Sequence, residues 1–149
     1  MKRKFILPII FALIFGFLCA NYVLALYSED SSLNNTIYFL QAGAYKNKES
    51  SNNDLKDIDN KILIKEEDKY YLYVGITTDI KEAERIKKLY QKNNIDLYIK
   101  EKIVENDSFY LELEQYDILL KNAKSYEEVN AVFKSVLATY EERVLKNEN

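Results

Sequence analysis

The stretch that decides the fold is "IYFLQAGAYKNKES", residues 37–50. A strand-like run of aromatic and aliphatic residues is interrupted at Gly43, and a polar "KNKE" follows. The chain has only three glycines. Gly16 lies in an apolar N-terminal segment, and Gly75 lies in "YYLYVGITTDIKEA", residues 70–83, which has the same plan 32 positions later. Glycine at matching strand-to-helix junctions implies a positive φ or a close approach that a Cβ would hinder.

Working outward from these two stretches gives an order of elements. "TIYFLQAGAY" (36–45), "KILIKEE" (61–67), "KYYLYVGI" (69–76) and "IDLYIKEKIV" (95–104) read as strands. "DIKEAERIKKLYQKNN" (79–94) is an amphipathic helix, capped by Asp79 with Glu82 three residues on. Its apolar stripe is Ile80, Ala83, Ile86, Leu89 and Tyr90. "KNKESSNNDLKDIDN" (46–60) offers only Leu55 and Ile58 as contacts, and its counterpart in the second half makes it a helix. The expectation is α+β: a ferredoxin-like, RNP-like βαββαβ fold with a four-stranded antiparallel sheet and both helices on one face.

Strand alternation then divides the sheet. Placing Tyr38, Leu40, Ala42, Leu72, Val74, Ile62, Ile64, Leu97 and Ile99 under the helices leaves Phe39, Gln41, Tyr71, Tyr73 and Tyr98 on an open face. Lys61, Lys65, Lys69 and Lys100 surround them. The competing expectation is that the C-terminal segment covers this face and makes the aromatics ordinary core. A register slip of one residue would swap the faces, and the short second strand is the most exposed to it.

The N-terminus is a separate matter. Lys2, Arg3 and Lys4 precede "FILPIIFALIFGFLCANYVLALY" (5–27), which is uncharged and long enough to span a bilayer of about 30 Å. Cations before it and Glu29-Asp30 after it orient its N-terminus inside. The alternative is a secretory signal cleaved near Ala25. Either reading puts the rest of the chain outside the cytoplasm: a linker at 28–35, a domain at 36–105, and a C-terminal extension at 107–146.

Composition narrows the chemistry. There is no histidine, and the one cysteine, Cys19, falls in the apolar segment. The remainder therefore has no disulfide, no Cys/His zinc site and no His-assisted nucleophile. Only three of the 21 basic and none of the 24 acidic residues fall in the first 27, so the remainder is net −6, a poor generic partner for nucleic acid. Carboxylate pairs such as Glu66-Glu67 and Glu141-Glu142 read as solvated surface rather than as a glycosidase pair.

At "YFLQAGAYKNKES" and "YYLYVGITTDIKEAE" the chain resembles the SPOR domain, the sporulation-related repeat of bacterial envelope proteins, over about residues 36–104. The resemblance implies a non-enzymatic domain without cofactors that binds peptidoglycan through its sheet, preferring glycan strands stripped of stem peptides, in cell division or sporulation. It implies ligand-facing roles for Gln41, Lys69, Tyr71 and Tyr73; with Phe39, Tyr98 and Lys100 of the open face these make the expected glycan site, and Gly43 and Gly75 are structural. Leu72 stands where the family often has arginine, and the first helix lacks the usual Ala/Leu stripe.

The C-terminal "SFYLELEQYDILLKNAKSYEEVNAVFKSVLATYEERVLK" (108–146) reads as two helices. Their stripes are Phe109, Leu113, Tyr116 and Leu120, then Val129, Val132, Phe133, Val136 and Tyr140, with Ser125 and Glu128 as a capping box. Packing within the chain is the expected use of these stripes. The alternative function is an adaptor whose C-terminal helices bind an envelope or divisome protein.

Overall fold

The computed structural model describes residues 35–50, 58 and 60–146. The expected anchor at 1–27, the linker up to residue 34 and most of the first expected helix lie outside the described residues. Only a helical turn opening at 48–50 belongs to that helix. Among the described residues, no helix is long and apolar enough to cross a membrane.

Four strands form one antiparallel sheet: β1 (Thr36–Tyr45), β2 (Ile62–Glu66), β3 (Lys69–Thr77) and β4 (Tyr98–Ile103). Their order is β2-β3-β1-β4, the ferredoxin-like arrangement, with the two repeat-bearing strands central. Among the described residues, the helices that accompany them in full are α1 (Ile80–Gln91), α2 (Asp107–Asn122) and α3 (Tyr126–Tyr140). A π-helical turn, Glu141–Leu145, continues α3.

Local chemistry sets the boundaries. The Asp79 carboxylate accepts from the Lys81 N–H and starts α1, and Asn94 closes it with φ 60°. Asn106 caps α2 by accepting from Phe109 N–H. Ser125 and Glu128 form the expected capping box of α3. The β2–β3 hairpin turns through Glu67 and Asp68, since Glu66 pairs with Lys69. Glu67 there takes φ 54°, a conformation disfavoured for a residue with a Cβ.

Both C-terminal stripes are buried with the sheet. Phe109, Leu113, Leu120, Val129, Phe133, Val136 and Tyr140 join Phe39, Leu40, Tyr73, Val74 and Ile76 in one hydrophobic cluster. The C-terminal helices thus pack within the chain, and the sheet and α2–α3 share a single core.

The pairing corrects one face assignment. Ile62 lies opposite Tyr73 and Ile64 opposite Tyr71, so β2 turns Ile62, Ile64 and Glu66 toward the aromatic side. Lys61 and Lys65 alternate to the other side. The expected register of this short strand was off by one residue. On β4 the expectation holds: Tyr98 pairs with Gln41 and Lys100 with Phe39.

Candidate functional site

The aromatic side is inward-curved. β2 and β4 are the two edges of the sheet, three spacings or about 14 Å apart if it were flat. Yet the Glu66 carboxylate on β2 accepts from Lys100 Nζ on β4 at 2.7 Å and also from Lys102 Nζ. Glu66 pairs with Lys69, while Phe39, the partner of Lys100, pairs with Ile76 seven residues further along β3. Side-chain reach alone does not close that gap, so the sheet must coil. Register shifts at Leu40/Gln41 and Gln41/Gly43 mark irregular pairing in the central strands, which sharpens local twist.

Beneath this bridge lies an aromatic stack. Phe39 and Tyr73 approach at 4.7 Å between centroids, and Tyr71 stacks on Tyr73 at 6.4 Å. Lys100 Nζ sits 4.2 Å over the Tyr71 ring, while Lys102 Nζ lies 4.8 Å from Phe39 and 5.2 Å from Tyr73. Each ammonium therefore meets both a carboxylate and a ring face, a favourable pairing when partly desolvated. Tyr73 Oη also donates to Glu66 Oε1 at 3.3 Å. Burial and the adjacent carboxylate push the Tyr73 phenol well above its ordinary value. At Glu66, burial favours the neutral acid, but the hydrogen bonds and charge of Lys100 and Lys102 outweigh it and hold the carboxyl below its ordinary value.

The end of α3 covers the same stack. Tyr140 packs edge-on against Phe39 at 5.3 Å and against Phe109 at 5.3 Å. Phe39 and Tyr73 are consequently 0 % exposed, which corrects the expectation that they lie on an open surface. Of the expected glycan-binding residues, Tyr98 is 69 % exposed. Lys69 is also exposed, and Gln41, Tyr71 and Lys100 are half-buried. The surface that remains centres on the paired Gln41 and Tyr98, with Lys100 and the Tyr71 ring beside them.

Sequence reasoning missed Glu66, which it read as solvated surface, and Lys102. The period-two series Tyr98, Lys100, Lys102 carried the signal for the lysine. The carboxylate's partner depends on sheet coiling, which periodicity does not encode. Asp117 was missed as well. It is buried and accepts from Thr77 Oγ1 at 2.6 Å, Thr78 N at 2.8 Å and Thr78 Oγ1 at 2.5 Å. These bonds tie α2 to the end of β3.

The glycines answer the question their spacing raised. Neither adopts a positive φ, so what remains is close approach, which is enforced at Gly75 by the buried Phe133 ring and is loose at Gly43. A Cβ on Gly75 would stand 2.3 Å from the Phe133 ring, and one on Gly43 would stand 2.5 Å from Tyr45 Oη.

Fold and site together define an α+β sheet domain with an internally bridged aromatic face and a small exposed aromatic–amide patch. The chain has no significant match among protein-family models, curated proteins or solved structures.

Proposed function

We propose that the chain is a membrane-tethered, extracytoplasmic, non-enzymatic protein that binds peptidoglycan glycan strands, in the manner of the SPOR domain it resembles, in division or sporulation. Residues 5–27 are its tether. The observation that supports this reading most is the exposed Tyr98 ring paired with Gln41 in the sheet. A sugar ring offers apolar C–H faces to an aromatic ring, while its acetamido and hydroxyl groups match the donor and acceptor of a side-chain amide. Phe39 and Tyr73 support the patch from beneath rather than touching ligand. The test is sedimentation of the full chain, in detergent, with insoluble peptidoglycan sacculi. Wild type should sediment, and folded Gln41→Ala/Tyr98→Ala should stay in the supernatant; wild type remaining in the supernatant overturns the proposal.

A second reading is an adaptor for an envelope protein. One specific observation favours it: Leu111, Ile118 and Leu119 on α2 are 60 %, 62 % and 53 % exposed, at helical spacing. Capture of an envelope protein by wild type but not by Leu111→Ser/Ile118→Ser, with sacculi binding absent, would select this reading.

A further inference from the structure

The groove of ≈ 730 Å³ beside the bridged face is flanked by β2, by β4 and the residues after it, and by the C-terminal turn. Its lining includes Ile64, Lys65, Glu66, Lys102, Arg143 and Leu145. That volume is within the range of small-ligand sites, and the lining mixes apolar surface with convergent charge. Arg143 is offset by Glu112, 2.8 Å away. The remaining charges are less balanced. Lys100 and Lys102 both engage one carboxylate, Glu66, and all three side chains are half-buried. Two ammonium groups on one carboxylate leave a surplus positive charge where water solvates poorly. Within the lining Lys65 and Lys102 are matched by Glu66 and Glu105, so the surplus is that of Lys100, which stands beside the groove on the same carboxylate as Lys102. Glu66 already accepts from three donors, since Tyr73 donates to it as well.

We propose that this groove is a binding site for a carboxylate carried on an otherwise neutral, partly apolar molecule, with Lys102 as the principal contact and Lys100, its neighbour on Glu66, assisting from beside the lining. The anion supplies the charge that Glu66 alone cannot match, and Ile64 and Leu145 receive the apolar portion. An ammonium–carboxylate hydrogen bond in this half-buried setting is of the stronger, charge-assisted kind. The site goes beyond the glycan-binding reading. It shares only Lys100 with the exposed patch, and it stands if that patch binds nothing.

Glu66 gives the test its distinctive sign. It competes with the ligand for both lysines, so removing its charge should strengthen binding. The experiment is calorimetric titration of the full chain in detergent micelles with three probes: N-acetylmuramic acid, the neutral N-acetylglucosamine, and N-acetylalanine as a peptide-type carboxylate. The two acids should bind and the neutral sugar should not. Lys102→Gln should weaken acid binding about tenfold, and Glu66→Gln should tighten it about threefold. Preference for the muramic acid assigns the carboxylate to a sugar, and preference for N-acetylalanine assigns it to a peptide end; both support the site. If Glu66→Gln does not fold, Lys100→Gln replaces it, with weakened acid binding expected. Absence of acid binding, equal binding of the neutral sugar, or loss of binding in a folded Glu66→Gln chain overturns the proposal. Sacculi sedimentation fails or succeeds independently, so the two readings are separable.

Discussion

The two strand-to-helix junctions look alike in sequence and are held differently. After Gly43 the chain runs into residues 46–50, all exposed. After Gly75 it runs into Thr77 and Thr78, which are tied to Asp117 of α2, while the glycine itself lies against Phe133 of α3. The atoms nearest a Cβ at Gly43 belong to the far end of Tyr45, two residues on. Those at Gly75 belong to a fully buried ring on another helix. A duplicated spacing therefore does not carry a duplicated role. The second junction is where the C-terminal helices grip the sheet, whereas at the first the glycine lies against its own neighbour, Tyr45.

The largest expected effect comes from breaking that grip. Gly75→Ala forces Phe133 out of a filled core and should cost about 3 kcal/mol, the upper end for overpacking. Gly75→Ala/Phe133→Leu should recover part of this loss, because the shorter side chain vacates the clash. Equilibrium urea unfolding measures both.

Asp117→Ala should cost about 2 kcal/mol, because the buried donors of Thr77 and Thr78 lose their acceptor. Its titration sharpens the comparison further. Burial raises the Asp117 carboxyl above its ordinary value despite the hydrogen bonds it accepts. Such a group contributes stability that is full below its unfolded value and is lost as pH rises through its folded value. Glu66 has the opposite sign, since its folded value is depressed: its contribution is present above the unfolded value and is lost as pH falls through the folded one. In acid titrations of stability, Glu66→Gln should therefore flatten the decline on acidification and Asp117→Asn should steepen it.

Smaller effects are expected away from the grip. Ser125→Ala removes the capping hydroxyl of α3 and should cost about 1 kcal/mol in thermal unfolding. Glu67→Gly, at the hairpin residue with positive φ, should stabilise by about 0.5 kcal/mol by relieving backbone strain.

How much was legible follows from the range of each signal. The helix 80–91 and the stripes of α2 and α3 rest on 3.6-residue periodicity and local caps, so Asp79, Ser125 and the buried Ile86, Phe109 and Phe133 could all be read from the sequence. Alternation also ordered β1, β3 and β4 correctly, which put Tyr98, Lys100 and Phe39 on one side. β2 is five residues long, and its pattern "ILIKE" fits either face; only pairing with β3 fixes it. The burial of Phe39 and Tyr73 was not legible, because it depends on Tyr140, which lies 101 positions from Phe39 in the chain. Glu66 was read as solvent-facing because nothing local distinguishes it from Glu67. What separates them is the coiling that carries β4's lysines across the sheet.

The most direct measurement is a side-by-side urea unfolding of Gly75→Ala and Gly43→Ala. Locking of the second junction by the C-terminal helices predicts a loss of about 3 kcal/mol for Gly75→Ala and less than about 1 kcal/mol for Gly43→Ala, where the Tyr45 ring can swing aside. Equal losses for the two variants would contradict it.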